Sequence, residues 1–282
     1  MSDHGDLTKV ESHFAFGRNW ASFAEDLTDK QIDDAVAGLE RLLPGGQLAN
    51  KTMIDIGCGS GLSMLAALRL GARRVVGVDI DPDSVATARA VLTRHEAPAG
   101  TARWDVHVSS VFDLTPDSAG LFDVVYSWGV LHHTGAMRRA VECAARLVAS
   151  GGTFVVALYR QTPCCGFWTR EKRFYTSAAA PVQAVVRGAY KTATLAGVFV
   201  TGRNPVSYVR EYGNERGMDF HHDVNDWLGG YPYESIDPAD AEAMLAGLGF
   251  DPVRSFVYPI RLGGAFGTAC AEYVVRRPQE TA

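Results

Sequence analysis

The chain has 282 residues, enough for one large domain or for a domain with a sizeable insertion. Hydrophobic residues make up 47% and charged residues 21%, a globular balance, and the net charge of −5 with no long basic run argues against a protein that lives on nucleic acid. Five scattered cysteines, with no CxxC pair and no zinc spacing, read as reduced thiols of a cytoplasmic protein, and the polar start MSDHGDLTKV does not read as a signal peptide.

Taken in chain order, residues 13–23 (HFAFGRNWASF) hold four aromatics around Gly17 and Asn19 and suit an amphipathic helix packed on a sheet. From 53 to 158 strands and helices alternate. MIDIG is a strand, LSMLAALRLG a helix stopped by Gly71, RVVGVDI a strand, and DPDSVATARAVLTRH a helix opened by Asp81 with Pro82 in its first position. WDVHVSS and FDVVYSW are strands, MRRAVECAARLV a helix and GGTFVVALY a fifth strand. Strands this apolar, separated by helices, predict a parallel sheet covered on both faces.

Residues 160–236 lack strand alternation and are rich in aromatics, Arg, Gly and His. The most apolar long stretch, 177–202, is interrupted by Arg187, Lys191 and glycines and reads as a buried or lid helix rather than a membrane span. PADAEAMLAGLGF then predicts a helix, and VRSFVYPI and CAEYVVRR an antiparallel pair across a glycine-rich loop. The expected fold is α/β: a Rossmann-like, doubly wound, mostly parallel seven-stranded sheet with an antiparallel last strand. It would occupy 51–159 and 237–282, with an N-terminal helical cover over 1–50 and a helical substrate lid over 160–236. An insertion that long predicts a function of its own.

The nonamer MIDIGCGSG, residues 53–61, opens the functional reading. A dinucleotide turn needs G-x-G-x-x-G, but Gly57, Gly59 and Gly61 run G-x-G-x-G and the third dinucleotide glycine would fall on Leu62. A pyrophosphate there would also face the carboxylate of Asp55, whereas a ligand carrying an ammonium and a sulfonium would be attracted. A generic tight strand-to-helix turn would give the same nonamer. Asp79, at the tip of the next strand, is placed to accept hydrogen bonds from ribose hydroxyls, and Asp81 already serves as the helix cap.

This stretch resembles motif I of the class I S-adenosylmethionine-dependent methyltransferases, and the resemblance covers roughly residues 50–160 plus the last two strands. It implies S-adenosylmethionine as cofactor, with the backbone of Gly57, Cys58, Gly59 and Gly61 close to its methionine part and Asp55 near its amino group. It further implies Asp79 and Ile80 beside the ribose, Ser110 and Val111 beside the adenine, and Trp128 at the fourth-strand exit. In this branch a helix before the sheet covers the cofactor, which would place Phe16 or Trp20 against it.

The fourth-strand exit, Ser127-Trp128-Gly129-Val130, lacks the N/D-P-P-Y/F of amino-base methylating enzymes, the paired glutamates of protein-arginine enzymes and the aspartate of metal-dependent catechol-type enzymes. What remains is similar to the small-molecule branch of ubiquinone-biosynthesis type, whose fourth strand runs into a Leu-His-His-like sequence. The expectation is O- or C-methylation of a metabolite or natural product, with a base to take the acceptor's proton. His133 is the first candidate, then Glu171 and His222; His133 could equally be a helix-start cap. Arg210, Tyr212, Arg216 and Tyr233 mix guanidiniums with aromatic faces, as a pocket for an aromatic or anionic acceptor would. HHDVND (221–226) could suggest a metal, with His222 and Asp226 one helical turn apart, but it reads better as a solvated helix start, so no metal is expected. WLGGYPYE reads as a tight turn with exposed aromatics, either lid packing or pocket wall. The expected partner is a small-molecule acceptor, with no nucleic acid and no membrane. A cofactor-binding protein without turnover, or an enzyme acting on a macromolecule, would share the same cofactor residues.

Overall fold

The computed structural model describes residues 17, 20, 22, 24, 27–95, 104–216, 220–265 and 267–279, without the side chains of 213–216, 222, 261 and 262. Helix α1 (Asp29–Leu42) starts where Thr28 and Gln31 exchange side-chain-to-backbone hydrogen bonds, satisfying two end N–H groups at once. Next in the chain are β1 (Thr52–Ile56), α2 (Leu62–Arg69), β2 (Arg74–Asp79), α3 (Pro82–His95) and β3 (Trp104–Val108). After β3 come a 3-10 turn (Val111–Asp113), α4 (Pro116–Ala119), β4 (Phe122–Trp128), a second 3-10 turn (Leu131–His133), α5 (Met137–Ala145) and β5 (Val148–Tyr159).

The sheet order is β3-β2-β1-β4-β5-β7-β6, with β6 (Asp251–Val257) and β7 (Cys270–Arg276) completing it. The first five strands are parallel, and β7 runs antiparallel to both β5 and β6. Strand order reverses between β1 and β4, and in open α/β sheets ligands bind outside the carboxyl ends of the strands at such a point. The sheet is apolar on both faces because each face has its own layer: Ile54, Val125 and Phe154 pack on one side, Met53, Val124 and Val155 on the other.

Between β5 and β6 lie α6 (Cys165–Ser177), α7 (Ala180–Val200), α8 (Pro205–Arg216), α9 (Phe220–Gly229) and α10 (Pro238–Gly247). α6 and α9 share a third apolar cluster, built from Trp168, Tyr175, Phe220, Val224 and Leu228, with Tyr233 buried in it and Tyr159 of β5 packed against it. That contact seats the insertion on the carboxyl end of the sheet. The apolar stretch 177–202 forms α7, which packs Val186, Tyr190 and Leu195 against this cluster but has no fully buried residue, so of the buried or lid helix expected the buried alternative is not met. WLGGYPYE does not expose its aromatics: Tyr233 is 6% exposed, and Trp227 and Tyr231 are half-buried.

Candidate active site

Three glycines make the turn after β1. Gly57, Gly59 and Gly61 have φ of 77°, 51° and 76°, left-handed values that favour glycine. Each also lies under a neighbour: a Cβ on Gly57 would run into Val130, one on Gly59 would sit 3.1 Å from the Trp20 ring, and one on Gly61 2.9 Å from Ala88. The turn is tied to β2 by the Gly57 and Cys58 amides, which donate to the Val78 carbonyl at 2.7 and 3.0 Å.

Asp79 braces the same turn. One of its carboxyl oxygens accepts from the Gly59 amide at 3.0 Å and the other from the Asp81 amide at 2.9 Å. Asp81 accepts from the Asp83 amide as the cap of α3, and from the Gly17 amide at 2.8 Å, which ties the N-terminal segment to the site. Trp20 therefore lies over Gly59 as a cover; Phe16 falls outside the described residues.

The turn gathers acidic groups whose ionisation is held back. Asp55, 2% exposed on β1, is pushed up to about 8, first by burial and then by the charge of Asp79. Asp79 is itself pushed up to about 6 by burial, partly offset by the two amides it accepts from. Cys58 and Tyr126, the β4 residue in register with Asp55, are both raised by burial and then by Asp55. Four acidic groups that each resist ionisation mark a place where a positive charge is favoured.

The other cofactor candidates surround this turn unevenly. Ile80 and Ser110 are half-buried, and Ser110 caps the first 3-10 turn. Val111 packs its side chain into the core at 7% exposure. Trp128 is 47% exposed at the end of β4, its indole N–H donating to Glu272 at 2.8 Å; Glu272 also takes a two-pronged bond from Arg41.

On the acceptor side, His133 Nδ1 lies 2.7 Å from the Pro232 carbonyl, and its ring meets Tyr159 edge-on at 5.3 Å. A carbonyl only accepts, so Nδ1 carries the proton and Nε2 is the basic nitrogen of the ring. His132, fully buried, stacks on Tyr159 at 3.8 Å and takes its backbone N–H, and burial holds it neutral. Glu171 of α6 keeps both carboxyl oxygens buried without a hydrogen-bond partner, and burial raises it.

The predicted substrate set is not brought together. Tyr233 is placed beside Tyr159, at 5.4 Å, with its hydroxyl on Thr268 at 3.0 Å and on the Cys165 sulfur at 3.3 Å. Tyr212 packs against Tyr208 and Phe220 and donates to Asp223, inside the insertion's own core. Arg210 points to solvent, 75% exposed with Glu211 at 3.6 Å. The side chains of Arg216 and His222 lie outside the described residues.

Sequence reasoning missed Lys172, which is fully buried with its ammonium 3.6 Å from the Trp227 ring centroid and donating to the Trp227 carbonyl. Burial pushes its pKa down, opposed by Glu171, Asp226 and Asp223. The signal available was the aromatic spacing around it in WTREKRFY. Also missed was a cleft of about 500 Å³ between the first turn of α5 (residues 136–139) and residues 234–236. It does not touch the glycine turn. Glu234 there accepts the Met137 amide at 2.8 Å.

Residues 54–156 match a family described as methyltransferase domain. A ubiquinone biosynthesis O-methyltransferase of Xanthomonas oryzae pv. oryzae is 32% identical over 116 residues, 41% of this chain and 46% of that protein. A ribosomal protein L11 methyltransferase of Thiobacillus denitrificans is 37% identical over 119 residues, 42% of this chain and 34% of that protein. The chain thus spans less than half the length of these curated relatives. Among solved structures, magnesium protoporphyrin IX methyltransferase from Synechocystis PCC 6803, with bound SAM, shares the fold at a TM-score of 0.59 and 13% identity, covering 98% of this chain and 100% of that one. Residues 54–156 thus match a methyltransferase domain, and the sheet has the Rossmann-like order expected from the sequence.

Proposed function

We propose that the chain transfers the methyl group of S-adenosylmethionine to an oxygen or carbon of a small-molecule acceptor. The observation that carries this is the glycine turn itself: Asp55 and Asp79 are two buried carboxyls that resist ionising together unless a cation joins them, where the backbone has no room for a Cβ. A cationic ligand fits that turn and a pyrophosphate does not. When bound, the cofactor supplies a methyl group activated by positive sulfur. The turn would take its methionine part, Asp55 its ammonium, and Asp79 its ribose hydroxyls, with Ile80, Ser110, Val111 and Trp128 lining the remainder and Trp20 excluding water.

An in-line displacement needs orientation and a place for the acceptor's proton. His133 meets the second need, because the Pro232 carbonyl holds it in the tautomer that leaves Nε2 basic. Glu171 is the alternative base, since burial brings its carboxyl toward neutral pH. Tyr233 and Tyr159 form the wall of the acceptor pocket nearest to His133; Arg216 and His222 stay candidates by sequence position. O- or C-transfer to a small acceptor is favoured by the fourth-strand exit and by similarity to the ubiquinone-type enzyme. Similarity to an L11 methyltransferase favours a protein acceptor as the second reading. The test is incubation with labelled cofactor and, separately, a metabolite extract and a ribosomal protein fraction. Label in a small molecule supports the first reading, label in protein the second, and no S-adenosylhomocysteine in either arm sinks both.

A further inference from the structure

A surface helix ordinarily turns its apolar stripe inward and its polar face to water. α7 packs Val186, Tyr190 and Leu195 against the insertion's cluster but keeps a second apolar stripe outside. Val182, Val185, Ala189, Ala193, Ala196 and Val200 recur at intervals of three or four residues, share one face, and are all exposed. Val185 is 72% and Val200 84% exposed, with Phe199 at 71% beside them. Over 21 residues this face extends for about 30 Å. The helix has only two charged residues, Arg187 and Lys191; both are basic and half-buried, on the side away from the stripe. The adjoining helices add Phe167, Phe174 and Val206, exposed at 62%, 55% and 75%. Arg170, also exposed, lies between the two phenylalanines on the same face of α6.

The charge of this region differs from that of the chain. Residues 160–216 contain nine Lys or Arg against three Glu, a net charge of +6, in a protein whose total is −5; Lys172 is buried and Arg187 and Lys191 half-buried, so the exposed share is carried by Arg170, Arg173, Arg203 and Arg210. An exposed apolar stripe within a basic segment is the pattern of a helix lying in the plane of a membrane interface.

We propose that the outer face of α7 docks on an anionic lipid surface, the helix lying parallel to it. The helix does not cross the bilayer: among the described residues no helix is long and apolar enough to do so. A second copy of the chain is disfavoured as the occupant, because a symmetric contact through α7 and its adjoining helices would bring two sets of exposed arginines, Arg170, Arg173, Arg203 and Arg210, toward each other. A protein partner is disfavoured because the stripe itself is Val and Ala and the exposed large apolar residues around it include no Trp or Tyr, the aromatic anchors most enriched at protein hot spots. This inference rests on exposure and charge, not on the methyl-transfer reading. It revises the expectation from overall composition that no membrane is involved, since the total charge conceals the basic segment.

The test is flotation of the full chain with phosphatidylcholine vesicles, with and without one quarter phosphatidylglycerol, at low salt and at high salt. The variant Val185→Glu/Val200→Glu changes only exposed positions, so it keeps the wild-type melting temperature. Expected is binding to the anionic vesicles at least about tenfold above the neutral ones, weakened by salt and lost in the variant. Wild-type chain that stays with the soluble fraction, or a variant that floats as well as wild type, overturns the proposal. So does a dimer in solution that the same variant splits, which assigns the face to a second copy.

Discussion

Asp55→Asn should make the ligand-free protein more stable and the cofactor site weaker. In the folded chain Asp55 is raised from 3.8 to about 8. Between these two values the folded state holds a proton that the unfolded chain has released, so stability falls as pH rises through that window. The full shift corresponds to a ceiling of roughly 6 kcal/mol above pH 8. Local relaxation and shared titration with Asp79 leave a realised cost of about 2 kcal/mol. Asparagine has the shape of the protonated acid and cannot ionise. Ligand-free Asp55→Asn should therefore melt about 4–8 °C above wild type at pH 8, and within error of it at pH 4. Cofactor affinity should move the other way, weakening by roughly 10–100-fold, the equivalent of about 1.5–3 kcal/mol for a lost charge-assisted contact. Wild-type binding should also tighten as pH rises from 6 to 8, with proton release seen by calorimetry in buffers of different ionisation enthalpy. A variant that melts below wild type at pH 8, or that binds the cofactor as well, refutes the charge argument.

Asp79→Ala removes both the brace on the Gly59 amide and the proposed ribose acceptor, and should cost about 1.5–3 kcal/mol of cofactor binding by calorimetry. Gly59→Val should be worse, since φ is 51° there and Trp20 already occupies the space; NAD should bind neither variant nor wild type comparably. His133→Gln should lower turnover by about 10²–10⁴-fold while leaving the cofactor dissociation constant within a few-fold, read by S-adenosylhomocysteine release. Glu171→Gln should raise the melting temperature at pH 8 and not at pH 4, because burial raises the Glu171 carboxyl and the folded state holds its proton longer. A drop in turnover in that variant, with His133→Gln unaffected, would move the base to Glu171.

The fold was legible because its signals are local. Apolar runs such as RVVGVD, the Asp81–Pro82 helix start and the glycine stops are determined within a few residues, and the strand-helix alternation leaves few ways to assemble them. The cofactor turn was legible for the same reason, since Gly57, Gly59, Gly61 and Asp55 sit within seven residues. The acceptor side was not. Which of Arg210, Tyr212 and Tyr233 faces the sheet depends on how α8 and α9 roll around a shared aromatic cluster. That packing turned Tyr212 into the insertion's interior, left Arg210 in water and set Tyr233 against Tyr159. Lys172 is the plainest case: its immediate neighbours are charged, but Trp168 one turn back on its own helix and Trp227 and Tyr233 from a stretch some 55 residues further on close over it. Side-chain patterns within one turn or strand are set by the chain itself. Burial of a charge among distant aromatics, and exposure of an apolar helix such as α7, are decided only when the elements compete for the same interior.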